Sequence, residues 1–392
     1  MSRRTLCHAG QAADPGAPGP DFATIHPEDH DMLERFHVPE KDRVYVKQEK
    51  MRAVTEAVLR HSGVSAAGAK ASAEVLVTND LRGVESHGVS NGVRRYVRQY
   101  AEKSINARPK VKVVKETSTT ARVDADMALG TEVGAWCMNM AIDKAKKHGM
   151  GAVSLMNTGH LAGCGYYAHM AVQHDMIGHM MTAGGGHQTV PTFGAEPLLG
   201  TNPVAWAAPA RRMPPYLFDV ATTQVAGNKI ELARRVGAKI YPGWIAKKDG
   251  SPILEEIPAP PTGTYYMLPF GGTRENGSHK GYGIAVMNEI FCNELSSMGP
   301  GPLLDHAGGS FFCAYSIEAF TDVEKFKDDM DKMLEAFAGS KPAPGFKRVL
   351  YPGLSEHEEF EERSKRGIPY HHEVVEWYES YCAEIGIKCD LR

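Results

Sequence analysis

Apolar residues recur at helical spacing early in the chain and change to alternation near residue 110. Met51, Val54, Val58 and Leu59 fall on one side of a helix predicted over 47–62. Ser65 is placed to cap a second helix, running to about residue 79 and carrying Ala73, Val75, Leu76 and Val77. Val93, Tyr96, Val97 and Tyr100 predict a third over 89–100, so the chain opens with a helical lobe. Alternating Val111, Val113, Ala121 and Val123 then predict strands within 110–124. A helix over 134–147, a buried strand over 151–156, a helix over 165–175 and a strand over 176–182 follow. Further strands fit 203–208 and 217–220. A second helix-rich stretch starts near Lys280 with Ile284, Ala285, Met287, Ile290 and Phe291. Helices over 323–338, 355–366 and 372–384 complete the pattern, with Lys341-Pro-Ala-Pro-Gly as a break and 355–366 charged enough to face solvent. Such a mixture predicts an α/β or α+β architecture and excludes a repeat protein.

Composition narrows the class. A chain of 392 residues can bury a large core in two or three lobes. Lys and Arg number 44 against 47 Asp and Glu, a net charge of −3, which gives nucleic acid no basic field. The 7 cysteines are scattered without a Cys-x-x-Cys pair, as in a reducing, cytoplasmic protein. No apolar run reaches membrane-spanning length, and Met-Ser-Arg-Arg precedes no apolar signal region. Residues 1–45 read as a peripheral N-terminal extension, either irregular or wrapped on a partner subunit.

Several polar segments can carry chemistry. Asp80-Leu-Arg-Gly-Val-Glu-Ser-His-Gly88 sets His87 between a hydroxyl residue and a glycine. An imidazole moves a proton near neutral pH, as alcohol–ketone redox chemistry requires. Asn157-Thr-Gly-His160 follows a strand, and His160 can orient a substrate oxygen or meet a cofactor. Gly184-Gly185-Gly186 permits close backbone approach. Gly200-Thr201-Asn202-Pro203 places an amide where a carboxylate or amide could be recognised, and Asp219 stands at a strand end where it could fix the tautomer of His87 or cap a helix. Lys229 and Lys280 are candidate phosphate-binding charges, or simply solvated lysines. No Gly-x-Gly-x-x-Gly stands in a convincing βαβ setting, which disfavours a Rossmann fold, and no His-Glu-x-x-His pattern supports a catalytic metal.

Taken in order, Arg82-Gly-Val-Glu-Ser-His-Gly, Asn157-Thr-Gly-His160 with Gly165-Tyr-Tyr-Ala, Gly200-Thr-Asn-Pro, Asp219-Val-Ala-Thr and Lys280-Gly-Tyr-Gly resemble the malate/L-lactate dehydrogenase family, over about 46–370. That family is unrelated to the Rossmann-type lactate and malate enzymes. The resemblance implies a non-Rossmann α/β (α+β) fold with a mixed, largely antiparallel sheet and a helical domain built from both chain ends. It implies an NAD(P)-binding domain over 121–279, a discontinuous substrate and dimerisation domain over 46–120 and 280–392, and a homodimer whose active site draws on both subunits. His87 would be the acid/base group, Asp219 its assistant, and His160 a neighbour of substrate or nicotinamide. Thr201, Asn202, Lys229, Lys280 and Gly184–Gly186 would lie near NAD or NADP.

Two departures bear on specificity. Many relatives carry arginine four residues after the catalytic histidine to hold a substrate carboxylate; here the position is Asn91, with Arg94 and Arg95 following. Ala226-Gly-Asn-Lys229 has asparagine where the usual Ala-x-Gly-Lys has glycine. The expected activity is interconversion of a small 2-hydroxy acid and its 2-oxo acid with NAD(P), with Asn91, Arg94, Arg95 and Thr201 toward the substrate. The alternatives are an NADPH-dependent cyclic imino acid reductase and a catalytically silent nucleotide-binding dimer.

Overall fold

In the computed structural model, residues 36–184, 186–304 and 308–392 are described. Most of the expected N-terminal extension, and Gly185 of the expected glycine turn, lie outside the described residues. β1 (Arg43–Val46) leads into α1 (Gln48–His61), α2 (Ala66–Leu81) and α3 (Val89–Ala101). Met51, Val54, Thr55, Val58 and Leu59 are the buried face of α1, the i, i+3, i+4, i+7, i+8 set that an amphipathic helix turns to its core. Ser65 caps α2 as its position predicts, its hydroxyl accepting from the Gly68 amide at 3.1 Å.

The middle of the chain builds a sheet: β2 (Lys112–Glu116), β3 (Thr120–Asp124), α4 (Gly130–His148), β4 (Met150–Thr158), α5 (Cys164–Met170), β5 (Met176–Ala183), β6 (Val204–Ala208) and β7 (Tyr216–Val220). α6 (Gly227–Arg235) and the short strands β8 (Lys239–Ile240), β9 (Ile245–Ala246), β10 (Ile257–Pro258) and β11 (Tyr266–Met267) form a small lobe. Phe36, Ile230, Ala233 and Ile240 lie in its separate core. α7 (Ser278–Glu289) runs into a π-helical turn, and β12 (Gly308–Ser316), α8 (Val323–Ala338), α9 (Leu354–Arg366), β13 (Ile368–His371) and α10 (His372–Glu384) follow.

Strand order in the seven-stranded sheet is β2-β3-β4-β12-β5-β6-β7. Only β3 and β4 run parallel, joined by α4, and every other pairing is antiparallel. The sheet is therefore mixed and largely antiparallel, as the resemblance implies. Its membership departs from the expected span of 121–279, because β2 and the central β12 come from outside it. Nothing in the periodicity announced β12: its first seven residues are all buried, so Gly-Gly-Ser-Phe-Phe-Cys-Ala shows no alternation.

The two chain ends meet where β1 pairs antiparallel with β13, Val46 opposite Ile368. Thr55 of α1 and Tyr378 of α10 share a buried hydrogen bond of 2.9 Å, so the terminal helix packs back on the opening lobe. α9 is not the solvent-facing helix its charge suggested. Glu358 and Arg363 are buried, and Arg363 reaches under α2. Among the described residues, no helix is long and apolar enough to cross a membrane.

Candidate active site

His87 sits in a single 3₁₀ turn, Glu85–His87, between α2 and α3. Asp80, fully buried at the end of α2, fastens that turn from below. One of its oxygens accepts from the Val89 amide at 3.0 Å and from the Tyr370 hydroxyl at 2.8 Å. Burial, followed by the neighbouring Glu85, pushes the Asp80 carboxyl up to about 8 against the opposing pull of the Val89 amide, Tyr370 and Arg363. Arg363 donates to the Asp80 carbonyl at 2.7 Å and pairs with Glu85 at 2.7 Å. Asn79 donates to the His87 carbonyl at 3.1 Å. Gly88 must be glycine on steric grounds, since a Cβ there would lie 1.7 Å from Asp80 Oδ1.

The His87 ring lies nearly parallel to that of His160, with centroids 5.8 Å apart and planes at 17°. His87 Nδ1 is 2.9 Å from the Ser86 hydroxyl. His160 Nδ1 meets the Tyr96 hydroxyl at 2.6 Å and Arg95 Nη2 at 3.0 Å, both from α3. Burial, and then the Arg95 charge, lowers His87 to about 4. The same causes, with His87 added, hold His160 well below the ordinary imidazole range. Both rings are thus neutral at pH 7, and a neutral imidazole can accept a proton.

The substrate candidates do not all face one way. Asn91 ties α3 to α6: its amide donates to the Asn228 carbonyl at 3.4 Å, and its oxygen accepts from Arg235 at 3.1 Å. Asn228 in turn donates to the Ser86 carbonyl at 2.7 Å. An open groove is lined by Asn91, Arg94, Arg95, Arg98 and Arg235, with Glu231 and Glu373 as its acids. Arg94 is exposed and rests 5.3 Å from the Trp377 ring, whereas the Nε of Arg95 is buried without a hydrogen-bond partner among the described residues. Arg235, pairing with Glu373 at 3.5 Å, was not foreseen. An arginine on a charged helix carries no local signal of a site. Thr201 is half-buried, and its carbonyl takes both the amide and the hydroxyl of Thr222.

Asp219 does not pair with His87. Its carboxylate accepts from the Gly165 amide at 2.6 Å, a long-range bond from β7 to the first turn of α5, whose own N-cap residue is Gly163. A Cβ at Gly165 would lie 3.0 Å from the same oxygen, so a side chain there would crowd the contact. Asp219 is open to solvent at the edge strand β7, yet surrounding protein strips enough hydration to raise its carboxyl to about 6, Glu356 adding to the rise and the Gly165 amide and Arg82 opposing it. Arg82 and Lys229 line a cleft with Glu85, Ser86 and Glu356. Neither cation has a hydrogen-bonded or ion-paired partner among the described residues, and burial lowers both. The Lys229 ammonium lies 5.7 Å from the Phe36 ring.

Asn202, expected near the cofactor, has its side chain tied inside the protein. It is 1% exposed, and its amide donates to the Ala285 carbonyl at 3.1 Å and to Glu289 at 2.6 Å. An asparagine that could recognise a ligand amide serves equally well to anchor a helix, and here it anchors α7 to the loop before β6. Gly184, at φ +112°, packs against Gly200, where a Cβ would come 2.1 Å from the Gly184 carbonyl. Gly186, at φ +97°, has open space where a side chain would be. Lys280 is exposed in the first turn of α7. Among the described residues, no cluster of three or more His, Cys, Asp or Glu side chains is placed to hold a metal.

Residues 46–378 match the family model described as malate/L-lactate dehydrogenase. The chain is 35% identical over 367 residues to a malate dehydrogenase of Pyrococcus abyssi, covering 91% of this chain and 99% of that relative. It is 34% identical over 348 residues to an L-sulfolactate dehydrogenase of Methanocaldococcus jannaschii, covering 85% and 95%. The solved structure of malate dehydrogenase from Pyrococcus horikoshii superposes with a TM-score of 0.80 at 33% identity, over 90% of this chain and 99% of that one. The chain belongs to the malate/L-lactate dehydrogenase family of oxidoreductases.

Proposed function

We propose that the protein is an NAD(P)-dependent dehydrogenase that interconverts a small malate- or lactate-like 2-hydroxy acid and its 2-oxo acid, with His87 moving the proton. The observation that carries this reading is the face-to-face pair His87 and His160 beside the Arg95 guanidinium. A neutral His87 is ready to take the hydroxyl proton of a bound alcohol and to return it when the ketone is reduced. A substrate carboxylate arriving at Arg95 would offset the positive charge that helps hold His87 down, so binding would raise the His87 pKa toward its working range.

Arg95 and Arg235 are the proposed anchors for the carboxylate, with Asn91 and Arg94 beside them and Thr201 as a further contact. The cofactor reading rests on the chain's own cradle. Gly184 and Gly186 take left-handed backbone where main chain can come close to a ligand, and Lys229 is a desolvated cation without a hydrogen-bonded partner among the described residues, suited to a phosphate. Lys280 would add charge from the exposed side. Asp219 is retained as an electrostatic assistant through Arg82 and Glu356, which line the cleft, rather than as a partner of His87. A bound nicotinamide dinucleotide supplies the hydride acceptor or donor. The reading includes a homodimer: Ile284, Met287, Ile290 and Leu295 leave an exposed apolar face on α7 and its π-turn that a second copy would cover, and sedimentation velocity measures it. It also includes a reducing, cytoplasmic setting, where the buried thiols Cys137, Cys164, Cys292, Cys313 and Cys382 remain free.

The test is the purified protein with malate, lactate, sulfolactate and ureidoglycolate, each with NAD+ and with NADP+, followed by absorbance of the reduced nicotinamide. Turnover of at least one acid is expected. No turnover across the panel overturns the reading; reduction of cyclic imino acids alone would assign the site to that chemistry, and cofactor binding without any turnover would assign a silent dimer.

A further inference from the structure

Two histidines share the centre, and their hydrogen bonds divide the work between them. His160 Nδ1 has three neighbouring donors: the Tyr96 hydroxyl at 2.6 Å, Arg95 Nη2 at 3.0 Å and the Ala162 amide at 3.3 Å. A guanidinium and a backbone N–H can only donate. Nδ1 must therefore present its lone pair, and the single ring proton of the neutral imidazole must sit on Nε2. Tyr96, which could in principle accept, must then donate as well. His87 differs, because its Nδ1 faces the Ser86 hydroxyl, which can donate or accept and so allows either tautomer. Neither Nε2 has a partner among the described residues.

We propose that His160 is a fixed Nε2–H donor to the C2 oxygen of the substrate, and that Tyr96 and Arg95 are positioning residues that lock it in that tautomer; this rests on the hydroxy-acid reading above. In oxidation the hydroxyl O–H bond breaks toward His87, the C2–H bond leaves as hydride to the oxidised nicotinamide, and the C2–O bond becomes double. His160 keeps its own proton throughout and stabilises the oxygen while negative charge passes through it. It is excluded as the base, since its only free ring nitrogen already carries hydrogen. Protonating Nδ1 would turn a new N–H against the Arg95 guanidinium and the Ala162 amide, which can only donate, and His87 adds a second nearby group that disfavours charge.

The experiment reads the tautomer and the rate separately. Nitrogen NMR of the full chain labelled in histidine rings is expected to show one histidine bare at Nδ1 and protonated at Nε2, unchanged from pH 5 to pH 8 and absent from a His160→Gln sample. Tyr96→Phe keeps the ring volume and removes one donor; kcat should fall roughly 10–100-fold, more than KM changes, with a new protonation on the acid limb of the kcat profile. Arg95→Lys, which keeps a charge but loses the planar fork, should lower kcat in the same direction and, because Arg95 is also a proposed carboxylate anchor, raise KM as well, so Tyr96→Phe is the variant that isolates the positioning role. An Nδ1–H tautomer at His160, titration of His160 between pH 5 and pH 8, or an unchanged kcat in both variants on an acid the wild type oxidises would overturn the proposal. If no acid is oxidised at all, the hydroxy-acid reading fails and the proposed C2-oxygen role falls with it, while the NMR result still decides the tautomer lock itself.

Discussion

Gly88→Ala tests whether the His87 turn is as tightly fastened as its geometry indicates. The backbone at Gly88 is extended, with φ −97°, so alanine meets no conformational penalty there and the whole effect is steric. The added Cβ would lie 1.7 Å from Asp80 Oδ1, 2.3 Å from its Cγ and 2.7 Å from its Oδ2. Asp80 is 0% exposed and cannot swing into solvent. It can yield only by giving up its bonds to the Val89 amide and the Tyr370 hydroxyl. Leaving a buried partner unsatisfied costs about 1–3 kcal/mol for each bond, so loss of the two should make Gly88→Ala destabilising by about 2–6 kcal/mol. Urea unfolding followed by far-ultraviolet circular dichroism would show this as a lower midpoint. Asp80→Ala removes the clash along with the carboxylate, so adding Gly88→Ala to it should cost less than about 1 kcal/mol. A Gly88→Ala midpoint equal to wild type, or a cost fully retained in the Asp80→Ala background, would refute the argument.

Other outcomes follow from the same site. His87→Ala should lower kcat by roughly 10²–10⁴-fold while cofactor binding, read by protein fluorescence, is retained; a pH–rate profile identical to wild type would oppose the acid/base assignment. Arg235→Ala should raise KM for the acid by roughly 10-fold or more with little change in kcat, as expected when a charged hydrogen bond is lost. Asn91→Arg alone would set a second guanidinium against Arg235, now 3.1 Å from the Asn91 oxygen, and should impair binding; combined with Arg235→Ala it should recover part of the loss, and equal KM values for the single and double variants would place the carboxylate elsewhere. Asp80 gives a stability test with a defined sign. Its folded pKa, raised to about 8 from 3.8, makes the folded state the more protonated one between those values, so its contribution is complete below pH 3.8 and is lost as pH rises to about 8. Asp80→Asn, a mimic of the protonated carboxyl, should therefore gain stability relative to wild type as urea midpoints are compared from pH 5 to pH 8, and a constant difference would contradict the shift.

Local patterns carried the helical lobe well, because α1, α2 and α3 have strong periodicity and Ser65 supplies a cap that acts within its own turn. They could not supply β12, whose burial on both faces erases alternation, or β1 and β13, four-residue strands that exist only because opposite ends of the chain pair. The site divides in the same way. His87 and His160 were visible as residue types in suggestive company, and the fold brings them together. Asp219 and Asn202 were visible too, but a carboxylate or an amide serves a helix as readily as a ligand. In the structure the first bonds to Gly165 and the second to Ala285 and Glu289, partners far along the chain that local sequence could not name. Tyr96 and Arg235 gave no signal of a site, and Arg82 stood in the first family motif without a role, because their meaning lies in what faces them.

The closure of the chain ends explains why this site needs a discontinuous lobe. The His87 turn is one 3₁₀ turn and cannot hold an imidazole still by its own backbone bonds. Its rigidity comes from Asp80 and Glu85, and each of these is held by the far end of the chain: Tyr370 from β13 and Arg363 from α9. Burying Arg363 among Glu85 and Glu359 is costly, and well-packed apolar residues could serve stability as well. Apolar packing would not fix the direction of the turn, whereas charged bonds with defined geometry do. The C-terminal segment is thus a structural support of the turn that carries His87, the proposed acid/base residue, rather than an appendage to it. Arg363→Met, which fills the space without the bonds, should leave the urea midpoint closer to wild type than Arg363→Ala does, yet both should lower kcat. A variant with wild-type kcat and no bond from residue 363 to Glu85 would show that the turn needs no such support.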